Sequence, residues 1–232
     1  ALNGVPTSEE SDPYMGRIFH VEDGSALTVL GTAKGSRMQI AEDAVSNGFF
    51  TIDIGGSLTL NGGAYAGETS KFYYGEGQEN YQGTMIHVLD RSGDTQKASA
   101  IVLNDLTVDS NHTFLDTDTI ATGNELTVNV NGGNYQGTAA YLFHVDSFPK
   151  CPIHFKNVTA TVDGPKPVVE ISGSDGTFDD CIFKVVKPND NNYSDSAVFV
   201  GYDGIATINS GTYEAGGTAL YIGSTGGRIV VN

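Results

Sequence analysis

Apolar residues in this chain come in short alternating phrases separated by turn formers. A four-residue phrase with apolar positions around a variable third residue recurs from end to end. It reads IFHV (18–21), TIDI (51–54), MIHV (85–88), FLDT (114–117), LFHV (142–145), VVEI (168–171), AVFV (197–200) and ALYI (219–222). Successive phrases begin 33, 34, 29, 28, 26, 29 and 22 residues apart. A second phrase of the same kind sits within most intervals: ALTV, SLTL, DLTV, ELTV, PIHF, IATI and RIVV. Gly, Asn and Asp divide them, and no segment of helical length is amphipathic. Period-two alternation bounded by turn residues predicts strands.

Each interval then holds at least two short strands, turns and one variable loop. No such unit buries a core alone, so a stacked architecture is expected. The fold class is all-β: a single-stranded parallel β-helix, or β-solenoid, of about eight coils. At ~4.8 Å per rung the rod is about 40 Å long. Residues 17–232 form it, with residues 1–16 an N-terminal extension or linker of little apolar pattern. Short, evenly spaced strands also suit a β-sandwich. Hairpin signals of the right spacing are few, however, and the strand–Asn-Gly-Gly–strand phrase is abundant.

The phrases LTLNGGAYAG, VNVNGGNYQG and TINSGTYEAGGTALYIG resemble coils of the right-handed parallel β-helix proteins, the pectin-lyase-like superfamily. The likeness is one of repeat style over residues 17 to 232. It implies the fold more than an activity, because that superfamily spans polysaccharide lyases and hydrolases, tailspikes, adhesins and carbohydrate-binding domains.

Aligned coil by coil, the third position of the main phrase reads His20, Asp53, His87, Asp116, His144, Glu170, Phe199, Tyr221. Three of the five histidines fall here. Neighbouring rungs lie ~4.8 Å apart. An ionic ladder of His20, Asp53, His87, Asp116, His144 and Glu170 would turn stacked repulsion into attraction worth about 0.2–1 kcal/mol per pair. A metal stripe is the competing use of the same residue types.

Tyr65, Tyr135 and Tyr213 each follow the Gly of an Asn-Gly-Gly or Asn-Ser-Gly turn. They are candidate glycan contacts if exposed, and cover for their own turns otherwise. Asn61, Asn131 and Asn209 are expected to form a buried ladder serving turn amides, with Gly supplying the positive φ. Cys151 and Cys181 are 30 residues apart, close to one coil, which suits either a disulfide or two stacked reduced thiols. Asp179 and Asp180, with Asp175 and Lys184 nearby, are the best local acidic pair. A solvated turn accounts for them, and neither a lyase nor a hydrolase role is assigned to them. No catalytic residue, metal or cofactor is assigned, and the chain is expected not to be an enzyme.

Composition adds two constraints. Twelve basic against 28 acidic residues give a net charge of −16, which excludes the basic footprint of a nucleic-acid binder. No run is long and apolar enough for a membrane helix. Sequons at Asn111, Asn157 and Asn192, candidate N-glycosylation sites, favour an extracellular or cell-surface location. The last residues, RIVVN, open a strand phrase and stop at its Asn, so the C-terminal end is expected to be uncapped. The expected role is a structural or adhesive solenoid of a surface protein, fibre or filament, partnered by copies of itself or further coils. Carbohydrate binding, a polysaccharide lyase or hydrolase, and a virion spike are the alternatives.

Overall fold

The computed structural model describes residues 17–39, 48–67, 71–72, 81–82, 84–90, 96–111, 113–117, 120, 123–138, 141–146, 151–186 and 196–232. Among them every regular element is a strand, and the strands form a parallel β-solenoid with three faces. The chain visits the faces in strict rotation. Face one carries Arg17–Val21, Gly48–Asp53, Ile86–Leu89, Leu115–Thr117, Phe143–Asp146, Val169–Ser172, Val198–Gly201 and Leu220–Ile222. Face two carries Ala26–Gly31, Ser57–Gly62, Ala98–Asn104, Glu125–Asn131, Ile153–Lys156, Asp175–Asp179, Ile205–Ile208 and Arg228–Val231. Face three carries Arg37–Gln39, Ala64–Gly67, Thr107–Ser110, Asn134–Thr138, Thr159–Asp163, Cys181–Val185 and Gly211–Glu214. With eight, eight and seven strands on the faces, the described stack has seven complete turns and two sides of an eighth. A small antiparallel pair, Lys71–Phe72 with Tyr81–Gln82, lies outside the stack.

Alternation sorts each strand into an inner and an outer side. In Glu125–Asn131 the burial runs exposed, buried, part-buried, buried, part-buried, buried, exposed. In-register stacking then places Leu58 on Ile101, Ile101 on Val128 and Val128 on Ile153, a continuous apolar column inside the rod. Aromatic rings fill the middle of the core. Phe155 stacks on Phe178 at 5.1 Å and 5°, and meets Phe143 and Phe183 edge-on at 5.0 and 5.6 Å. Burying a side chain of this size contributes roughly 1.5–3 kcal/mol.

The corner between faces two and three demands a left-handed backbone. Gly132 and Gly133 take φ of 68° and 95° in the Asn-Gly-Gly turn. Asp105, Asn157 and Asp180 take the corner in other coils, with φ of 52°, 56° and 52°. Short Asn and Asp side chains tolerate this region. At Gly133 nothing but glycine fits, because a Cβ would come within 2.5 Å of the Leu106 carbonyl oxygen.

Two sequence expectations change here. The sixth strand of face two, DGTFD (175–179), has no apolar phrase because its inward position is Gly176. The Ile171 and Phe178 side chains occupy the space a Cβ there would need. The phrase DLTV (105–108) is not a face-two strand. It rounds the corner, and Ala98–Asn104 is the strand beneath it.

Candidate functional site

The outer side of face one carries a single column of side chains. Backbone register pairs His20 with Thr51, Thr51 with His87, His87 with Asp116, Asp116 with His144, and His144 with Glu170. Phe199 and Tyr221 continue it, their rings 5.6 Å apart. The expected column is therefore in register except at its second rung, where Thr51 and not Asp53 is in line. Asp53 sits two residues along, opposite Leu89. A two-residue slip keeps every side chain on its own side of the sheet, so alternation alone cannot detect it. Ring packing decides: Phe50 stacks on Phe19 at 5.4 Å and 14° inside the rod. Asp53 still reaches back diagonally, with Oδ2 at 2.9 Å from His20 Nε2.

The densest polar cluster is centred on His144. Its Nδ1 lies 2.7 Å from Asp116 Oδ1, and both side chains are partly exposed. Tyr141 stacks on the imidazole, ring centroids 5.2 Å apart and 27° from parallel. Lys166 caps Tyr141: Nζ is 4.9 Å from the ring centre and donates to the phenolic oxygen at 3.4 Å. Burial, then the charge and hydrogen bond of Glu170 and the charge of Asp116, pushes the Tyr141 phenol well above its ordinary value. Neither Tyr141 nor Lys166 was among the sequence candidates, because both sit in the connections between strands, where no periodic signal exists. Among the described residues no three His, Cys, Asp or Glu side chains converge in a way that holds a metal ion.

The tyrosines proposed for glycan contact are core residues. Tyr65 and Tyr135 are 2% and 1% exposed and point inward on face three. Tyr135 packs edge-on against Phe114 and Phe143 at 5.6 and 5.2 Å. Tyr213, half-buried, packs on Phe183 at 5.7 Å and donates its hydroxyl to the Ser210 carbonyl at 3.2 Å. Strand alternation puts these rings inside, where a sugar cannot stack on them.

Both cysteines are buried, and no disulfide joins them. A coil in this region takes 23 residues (Ile153 to its neighbour Gly176), so the 30-residue spacing overshoots one turn. Cys181 consequently opens a face-three strand opposite Gly211, whereas Cys151 leads into face two. Burial pushes the Cys181 thiol up to about 11.

The asparagines do form a ladder, though on the outside of the corner. Asn104 Nδ2 donates to Asn61 Oδ1 at 2.6 Å, and Asn131 Nδ2 to Asn104 Oδ1 at 2.9 Å. Lys156 and Asp179 interrupt the column. It resumes as Asn209 Nδ2 to Asp179 Oδ1 at 2.8 Å and Asn232 Nδ2 to Asn209 Oδ1 at 2.6 Å. The amides serve one another instead of the turn. Asp179 belongs to this column, and Asp180 is the left-handed corner residue, its N–H bonded to Ser210 Oγ at 2.8 Å. Lys184 pairs with Glu214 on face three at 2.8 Å, away from that acidic pair. Of the sequons, Asn157 is exposed at a corner and Asn111 is half-buried. Asn192 and residues 1–16 lie outside the described residues.

No protein-family model, curated protein or solved structure matches this chain.

Proposed function

We propose that this β-solenoid is a structural or adhesive rod of an extracellular surface protein, fibre or filament, of the pectin-lyase-like type and without catalytic activity. The single observation behind it is the condition of the two end rungs. On the last rung Ile222 and Val231, inward and in register with the buried Val200 and Ile208, are 44% and 66% exposed. Inward columns are fully buried in mid-stack, as at Ile101 and Val128, yet Leu27, Val29, Leu220 and Ile229 are only partly covered. Unpaired strand edges bearing apolar side chains favour added β-rungs. In this reading, copies of the rod stack end to end on such rungs. The exposed corner sequon at Asn157 and the acidic surface accord with a secreted setting.

Electron microscopy of native material beside the isolated 232-residue chain tests this proposal. Filaments whose axial repeat matches the length of the stack are expected. Discrete native particles holding a single chain of this length would overturn it.

A second reading is glycan binding on the outer side of face one, favoured by the Phe199–Tyr221 pair beside Glu170. Binding to immobilised glycans that Tyr221→Ala removes would support it.

A further inference from the structure

His144 is the only histidine of the face-one column with a carboxylate on the rung at each side. Asp116 precedes it and Glu170 follows it in register. His87 has Asp116 on one side and Thr51 on the other, and His20 has Asp53 diagonally. A neutral imidazole donates from one nitrogen only, whereas the imidazolium donates from both. One donor is already committed, through Nδ1, to Asp116 at 2.7 Å.

We propose that His144 is a proton-dependent clamp: when protonated it ties the strands Leu115–Thr117, Phe143–Asp146 and Val169–Ser172 together through Asp116 and Glu170. When neutral it donates to only one of the two carboxylates, and no cation stands between them on the middle rung. The groups that face the imidazole are Asp116 and Glu170 from the adjoining strands, with Tyr141 stacked on it and donating its hydroxyl to Glu170. Lys166 lies against Tyr141, its Nζ 4.9 Å from the ring centre and 3.4 Å from the phenolic oxygen. Its charge opposes protonation of His144. Two carboxylates, one of them in contact with the imidazole at 2.7 Å, outweigh one ammonium that is hydrogen-bonded to Tyr141. Tyr141 also limits water at the imidazole, which strengthens each of these interactions.

The sign of the effect follows. Folding favours the imidazolium, so its contribution is complete below the unfolded imidazole value near 6.5 and is lost as pH rises through the folded value. The test is the ring-proton NMR titration of His144 in the folded protein, in the same protein unfolded in urea, and in Asp116→Asn and Glu170→Gln. An upward displacement of the folded midpoint from the unfolded one is expected, reduced by each substitution. A midpoint that coincides with the unfolded one overturns the clamp. So does a displaced midpoint that either substitution leaves unchanged, since a three-strand bridge needs both carboxylates. The wild-type comparison stands even if a variant fails to fold. As a stability readout, the advantage of wild type over His144→Gln in urea melts should shrink between about pH 5 and pH 8. A gap that is constant with pH assigns His144 a packing role only and overturns the clamp.

Discussion

His20 Nε2 and Asp53 Oδ2 lie 2.9 Å apart although the residue across the ladder from His20 is Thr51. The ion pair is diagonal, and Thr51 lies in line between His20 and His87, fully buried on what is nominally the outer side. Its hydroxyl oxygen has no hydrogen-bond partner. A buried, unsatisfied hydroxyl costs about 1–3 kcal/mol. Thr51→Val, which keeps the branched shape, is expected to raise stability by about 1 kcal/mol in urea melts. A loss of similar size would show that the hydroxyl is in fact bonded.

Alkaline pH should unfold the rod through its inner tyrosines. Burial raises the phenols of Tyr65, Tyr135 and Tyr213 above their ordinary value. Protons thus leave the unfolded chain first. Stability is complete below about pH 10 and falls as pH climbs beyond it. The share of tyrosinate absorbance that replacing Tyr65, Tyr135 and Tyr213 by Phe removes should rise together with the loss of β-sheet signal instead of before it. Tyr135→Phe also deletes a buried hydroxyl that has no partner, and is expected to stabilise by about 1 kcal/mol at neutral pH.

The amide ladder can be broken and lengthened. Asn104 both donates to Asn61 and accepts from Asn131, so Asn104→Ala removes two side-chain bonds at once. A cost of about 1–2 kcal/mol is expected. Leu30 occupies the same column one rung below Asn61, exposed and unable to join. Leu30→Asn should extend the ladder and raise the melting temperature slightly. No change in either variant would mean that solvent serves these amides equally well.

Both thiols should be inert in the folded state. Cys151 and Cys181 are buried and not joined in a disulfide, and burial raises the Cys181 thiol further from ionisation. A soluble disulfide reagent is expected to label neither in native buffer and both in urea. An intact mass two hydrogens short would reveal the cross-link that the spacing of 30 residues suggested.

Which features were legible in the sequence depends on the range of the interaction behind them. The ladder from His87 to Tyr221 could be read because those phrases repeat in phase. Asp53 was misplaced because the decisive contact, Phe50 on Phe19, joins residues 31 apart. The sixth face-two strand escaped notice because Ile171 and Phe178 fill its inward position at Gly176. Tyr141 and Lys166, which complete the cluster at His144, lie in connections whose course no period describes.

The sequence by itself determined that the chain is all-β, that its strands repeat in stacked coils, and which side of each strand is apolar. Those properties follow from the pleat, which sends successive side chains to opposite sides whatever lies next to the strand. Only the tertiary structure decided the rung-to-rung register, the burial of Tyr65 and Tyr135, the separation of Cys151 from Cys181, and the meeting of Asp116, His144 and Glu170. Each depends on coil length and on which side chains pack against a rung 22 to 43 residues away, as between Val198 and Leu220 (22 apart) or Leu58 and Ile101 (43 apart). Local alternation carries no information at that distance.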